Sequence, residues 1–162
     1  MKIYLMRHGE TDANKSKVLQ GQLDNPLNDS GRRQAREAAK LLKGITFDKI
    51  YSSPLIRAVE TGEIASGIDR EKFILDARIR EIGFGDAEGK PFSSLGEGFA
   101  FFFSAPQKYV PCNGAEGFES LIQRVGEFLE EIKTEEEEEV LVLSHGGAIH
   151  AMLLYIGGYG ID

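Results

Sequence analysis

The chain has 162 residues, enough for one domain with a sizeable core, and its 41% hydrophobic and 28% charged content is ordinary for a globular protein. A formal net charge of -7 argues against a general nucleic-acid binder, and no apolar stretch approaches the roughly 20 residues of a membrane span. The N-terminus lacks the apolar core of a signal peptide, and Cys112 is the only cysteine, so no intrachain disulfide is expected and a reducing cytoplasm fits.

Lys2 to Met6 reads as a strand buried on both faces. It ends abruptly in Arg7-His8-Gly9-Glu10-Thr11, where the glycine lets the backbone turn sharply. Residues 9 to 29 are rich in Gly, Asn, Asp and Gln and read as loop or short turns. Asn28-Asp29-Ser30 offers capping oxygens to a helix over residues 31 to 43. That helix has a small apolar face of Ala35, Ala38, Ala39 and Leu42, and Gly44 stops it. Phe47 to Tyr51 is a second strand. Ser52-Ser53-Pro54 then caps and opens a helix that runs to about Ser66, with Arg57 in its first turn. An arginine at a helix N-terminus makes an anion site; the competing reading is a surface arginine on an amphipathic helix.

Phe73 to Leu75 is a short third strand, followed by a glycine-rich stretch from Arg80 to Gly89. Residues 90 to 117 form a long connection holding Phe99, Phe101, Phe102 and Phe103, too apolar to be disordered. They either line a lid or form a short helix packed on the core. Phe118, Leu121, Ile122, Val125, Phe128, Leu129 and Ile132 mark the clearest amphipathic helix. Glu135 to Glu139 reads as a solvated turn. The uncharged run Val140 to Leu143 then ends in Ser144-His145-Gly146-Gly147, before a helix from about Ala148 to Tyr155 in which His150 is an ordinary packing or surface residue.

Alternating strands and helices predict an α/β fold, a three-layer sandwich with a mostly parallel central sheet flanked by helices. No linker or repeat splits residues 1 to 162, and residues 84 to 117 are the candidate lid and specificity insertion. In such a sheet all strands end along one edge, where ligands bind. Two of the three histidines, His8 and His145, follow an apolar strand and precede a glycine. They can therefore meet although they are far apart in the chain.

Three chemistries could use His8, His145, Arg7, Arg57 and a carboxylate. A metal site could take both histidines and Glu81, but the two arginines would repel a cation and no H-E-x-x-H spacing occurs. An acyl transferase would need a serine or cysteine nucleophile, and no G-x-S-x-G is present. Phosphoryl transfer uses all the unusual residues. Guanidinium forks match phosphate oxygens, a neutral imidazole can attack phosphorus, and a protonated carboxyl can serve the leaving oxygen. The absence of G-x-x-x-x-G-K-[ST] argues against a nucleoside triphosphate donor.

Arg7-His8-Gly9-Glu10-Thr11 resembles the signature of the histidine phosphatase superfamily, the phosphoglycerate-mutase-like proteins. Further blocks resemble the family in order: Asn14 with Gln20-Gly21, Asp24 to Asn28 with Gly31, Ser52 to Leu55 with Arg57-Ala58 and Thr61, Glu81 with Phe84 to Gly89, and Val142 to Gly146. The resemblance covers nearly the whole chain. It implies His8 as the nucleophile, its ring oriented by a backbone carbonyl, with Arg7, Arg57 and His145 as phosphoryl ligands. It implies Glu81 as proton donor and then base. Asn14, Gln20, Gly21 and the Gly146 amide become lesser substrate contacts, and no metal or organic cofactor is implied. The stretch after Glu81 resembles the small phosphatases, notably the α-ribazole-phosphatase-like group, although that group usually has an aromatic where Ala87 stands. Asn113 to Ser120 resembles the family's Gly-Gly-Glu-Ser block with residues added. A phosphomonoester hydrolase acting on a small phosphorylated metabolite is expected, with α-ribazole 5′-phosphate as one candidate. A phosphomutase and a non-catalytic phospholigand-binding module are the alternatives. The family usually continues past the final helix into further edge strands, whereas this sequence stops at Asp162. The resemblance therefore predicts an uncovered edge on the first strand, with a homodimer or another cover for it.

Overall fold

The computed structural model describes residues 1–134 and 136–158. Glu135 and the Tyr159–Asp162 end of the sequence lie outside the described residues.

Four strands form one sheet: β1 (Lys2–Arg7), β2 (Lys49–Ser52), β3 (Ile74–Leu75) and β4 (Glu139–Ser144), in the order β1-β4-β2-β3. All pairings are parallel, so the sheet is fully rather than mostly parallel among the described residues. β4 is central because its side chains are apolar on both faces. Val140 and Val142 join a core cluster with α5 (Phe118–Lys133) and α6 (Gly146–Ile156). Leu141 and Leu143 point the other way and pack with α3 (Ile56–Ser66), beside α2 (Asp29–Leu41). The period-2 alternation of a strand thus builds three layers.

β1 was expected to be buried on both faces. It is only half-buried along its middle, because it holds a sheet edge and pairs with β4 alone. The loop after it contains α1 (Asp12–Lys15), one turn held by a capping box in which Thr11 and Asn14 bond reciprocally. α2 is capped by Asn28, whose Oδ1 accepts from the Gly31 amide at 2.9 Å. α3 starts at Ile56, not at the serines. Asp24 Oδ1 accepts the Ile56 amide at 2.7 Å, and Ser53 turns to another partner.

The glutamate run is not simply a solvated turn. Glu139 is the first residue of β4 and pairs with Lys2 at 2.7 Å. Glu137 pairs with Lys49 at 2.7 Å, and Asp48 Oδ2 accepts the amides of Glu138 and Glu139. α6 begins at Gly146, earlier than the Ala148 expected, and His150 packs its ring 5.9 Å from that of Phe118.

The 90–117 connection contains α4 (Glu97–Ser104). Phe102 is fully buried against Phe84, Phe103 and Phe118, so the packed-helix reading holds for that side chain. Phe103, on the same helix, is 60% exposed.

Candidate active site

The site follows from strand register. Arg7 of β1 stands opposite Ser144 of β4, and the His8 amide extends the ladder to the Ser144 carbonyl at 3.1 Å. The next residues, His8 and His145, therefore leave the same sheet edge side by side. Their ring centroids are 5.2 Å apart with planes inclined by 55°. On the other side of β4, Ser52 is in register with Leu143, and the turn after β2 delivers Arg57 in the first turn of α3.

One cavity of about 70 Å³ is lined by Arg7, His8, Asn14, Gln20, Gly21, Arg57, Glu81 and Gly146, eight of the nine residues singled out from the sequence. His145, the ninth, is fully buried behind this lining. Gly9 does not serve as the sharp turn expected of it, since its φ is not positive. It is a close-approach residue: a Cβ there would lie 2.5 Å from the Gly31 carbonyl oxygen. Gly21 does need its left-handed backbone, with φ of +52°.

His8 Nδ1 lies 2.7 Å from the Gly9 carbonyl oxygen. A carbonyl can only accept, so Nδ1 carries the hydrogen and Nε2 holds the free lone pair. Burial pushes the His8 pKa down to about 4; the Gly9 carbonyl opposes this, and the positive charges of Arg57 and Arg7 reinforce it. His145 Nε2 is 2.7 Å from Ser53 Oγ, and its Nδ1 is buried without a hydrogen-bond partner. Burial, followed by the charge of Arg57, holds His145 well below the usual histidine range. Both rings are therefore neutral at neutral pH.

Arg57 is almost wholly buried. Its two terminal nitrogens donate to the carbonyls of Leu23 and Gly21 at 2.6 Å each, and its Nε has no partner. The 21–23 loop thus fixes the guanidinium plane. Thr61 Oγ1 ties the same helix to the signature loop, donating to the Arg57 carbonyl and accepting from the Gly9 amide.

Glu81 Oε1 accepts the amides of Ile82 and Ala148, and Oε2 accepts that of Gly147, so the carboxyl sits at the N-terminus of α6. Such donors favour the charged form, yet desolvation outweighs them and raises the Glu81 pKa. Oε2 accepts one of these bonds and Oε1 two, which leaves Oε2 with room for a proton.

Asn14 and Gln20 use their carbonyl oxygens on Thr11 and keep only amide donors for a guest. Sequence reasoning missed Ser53 as the partner of His145 and read it as a helix cap. It also missed Phe92, which lines the cavity beside Phe84 and Phe103. Phe103 is one of the four phenylalanines offered as a lid, and of those four it alone lines this cavity. Among the described residues no group of three His, Cys, Asp or Glu side chains is placed to hold a metal ion.

Comparison with known proteins agrees with this geometry. The sequence profile of the histidine phosphatase superfamily (branch 1) matches residues 3–162. The adenosylcobalamin/alpha-ribazole phosphatase of Salmonella typhimurium is 32% identical over 159 residues, covering 94% of this chain and 78% of that protein. The solved structure of Bacillus stearothermophilus YhfR superposes with a TM-score of 0.89 at 34% identity, over 99% of this chain and 81% of that one. A phosphoserine phosphatase of Entamoeba histolytica, solved in complex with phosphoserine, gives 0.84 at 29% identity, over 98% and 81%.

Proposed function

Because the chain belongs to the histidine phosphatase superfamily, branch 1, and is a phosphatase, we propose that it hydrolyses a small phosphomonoester through a phosphohistidine on His8. In the first step His8 Nε2 attacks phosphorus, the N–P bond forms, and the ester P–O bond breaks. The departing oxygen takes a proton from Glu81 Oε2. Arg7, Arg57 and His145 hold the three equatorial oxygens as charge spreads over them, and Asn14, Gln20, Gly21 and the Gly146 amide lend further contacts. In the second step the Glu81 carboxylate takes a proton from water, whose oxygen attacks phosphorus as the P–N bond breaks. His8 and Glu81 return to their starting forms.

The observation that carries this reading is the His8 ring. Its Nδ1 is committed to the Gly9 carbonyl, burial keeps it unprotonated, and Nε2 is left as the basic atom in a cavity shared with two guanidinium groups and a carboxyl of raised pKa. A binding module would need neither a free imidazole nitrogen nor a proton donor. Lining by Phe84, Phe92 and Phe103 favours a substrate with an apolar organic part, for which α-ribazole 5′-phosphate is one candidate and phosphoserine a more polar competitor. Residues 84–117 supply these three side chains and serve as the specificity insertion.

The test is hydrolysis of p-nitrophenyl phosphate with and without excess EDTA, followed by a screen that includes both named esters and 3-phosphoglycerate. Chelator-resistant release of phosphate supports the reading. Activity abolished by chelator, or conversion of 3-phosphoglycerate to 2-phosphoglycerate faster than phosphate release, would replace it with a metal-dependent or mutase mechanism.

A further inference from the structure

Arg124 on α5 is outside the cavity and belongs to none of the sequence blocks discussed above. Its Nε and one terminal nitrogen grip Glu116 in a two-pronged pair at 2.7 and 2.9 Å. The same guanidinium donates to three carbonyls of the 78–81 segment: those of Arg78, Arg80 at 2.8 Å and Glu81 at 3.1 Å. Glu116 completes the clasp. Its Oε2 accepts the Gly83 amide at 3.2 Å, and its own amide donates to the Gly83 carbonyl at 2.7 Å. One ion pair, only 18% and 16% exposed, therefore fixes the main chain on both sides of Glu81. Lysine could not reproduce this, because a fork with several fixed donors is needed.

We infer that Arg124, clasped to Glu116, is a positioning residue that sets the main chain from which Glu81 delivers its proton to the leaving oxygen. This rests on the proposed role of Glu81. The physical reason is geometric: proton transfer demands hydrogen-bond reach, and a displacement of about 1 Å can cost about 100-fold. The Glu81 carboxyl is also held from the α6 side by Gly147 and Ala148, and its carbonyl takes a bond from Gln22 at 3.2 Å. Loss of the clasp would therefore shift the acid rather than release it.

Leaving groups separate positioning from general structural support. Nitrophenolate departs without a proton, whereas an alkoxide needs one. The measurement is kcat/KM, which reports events up to leaving-group departure, for p-nitrophenyl phosphate and for an alkyl phosphate. The variants are Arg124→Ala, Arg124→Lys, Glu116→Gln, Glu81→Gln and the double variant Arg124→Ala with Glu81→Gln. Arg124→Ala should lower the alkyl ester by about 10- to 100-fold more than the nitrophenyl ester, with Arg124→Lys between it and the parent. In the Glu81→Gln background the same substitution should add almost no further loss on the alkyl ester. Equal losses on both esters, or full additivity with Glu81→Gln, would overturn the inference. If Glu81→Gln itself fails to discriminate between the esters, the role of Glu81 falls and the inference falls with it. Should Arg124→Ala not fold by its thermal transition, Glu116→Gln carries the same test. It removes the charge pair, keeps an acceptor for Gly83, and must show the same leaving-group selectivity.

Discussion

Arg7 and Ser144 are register partners on neighbouring parallel strands, and that single pairing delivers His8 and His145 to one place. Their rings stand 5.2 Å apart, close enough for both to reach the oxygens of one tetrahedral group. The neighbouring strand β2 completes the set by bringing Arg57 to the other flank of β4.

The pH profile should reflect the two buried groups with opposite shifts. His8 must be unprotonated to attack, and burial holds its pKa at about 4. Glu81 must be protonated to donate, and burial raises its pKa. The acid limb of kcat/KM should therefore fall near pH 4, and the alkaline limb should disappear in Glu81→Gln. An acid limb centred at 6.5 would contradict the burial argument. Stability follows the same sign. An unfolded His8 takes its proton near 6.5 and the folded one near 4, so its contribution is full above 6.5 and lost as pH falls through that window. The thermal midpoint should decline over that range, and less steeply in His8→Ala.

Ser53 should matter for catalysis although it does not line the cavity. Its hydroxyl is fully buried and bonds His145 Nε2 at 2.7 Å. Ser53→Ala should cost about 1–2 kcal/mol of stability for the unsatisfied nitrogen and lower kcat by about 10-fold through a loosened ring. Denaturant titration and steady-state kinetics measure the two effects; an unchanged kcat would show that the ring is held by packing alone.

Adjacent phenylalanines on α4 should behave differently. Phe102 is fully buried among five other aromatic rings, so Phe102→Ala should cost about 3–5 kcal/mol. Phe103 is 60% exposed and lines the cavity. Phe103→Ala should change stability by less than about 0.5 kcal/mol yet alter the preference between aromatic and aliphatic phosphomonoesters by about 5-fold or more. Unfolding curves and paired kcat/KM values decide it; an unchanged preference would remove α4 from substrate selection.

The outer edge of β1 has no strand partner among the described residues, and such an edge invites strand addition. Light scattering should show mass rising above the monomer with concentration. A constant monomer mass over the accessible range would mean that Lys2 and the shortness of the strand protect the edge well enough.

β4, which leads into His145, was legible because a central parallel strand is apolar on both faces, and Val140 to Leu143 shows this plainly; β1 was legible as an apolar run, but not as the half-buried edge it forms. The start of β4 was hidden by its glutamates. Glu139 is a strand residue through its backbone register with Lys2, distant in sequence, and through its carbonyl, which accepts the Asp48 amide. α1 escaped notice since a four-residue helix has no periodicity to read; only the Thr11–Asn14 capping box marks it. The roles of Ser53 and Arg124 depend on His145 and on the Arg78–Glu81 carbonyls, contacts across 92 and more than 40 residues that no local pattern encodes. The phenylalanine cluster of residues 99–103 announced burial, but not which ring faces the core and which the cavity.

The most direct test is to quench the enzyme with substrate in the steady state and locate any protein-bound phosphoryl group by mass spectrometry under alkaline conditions. The account predicts one acid-labile phosphoryl group on His8, absent in His8→Ala along with the activity. A His8→Ala variant as active as the parent, or a phosphoryl group carried by another residue, would contradict it.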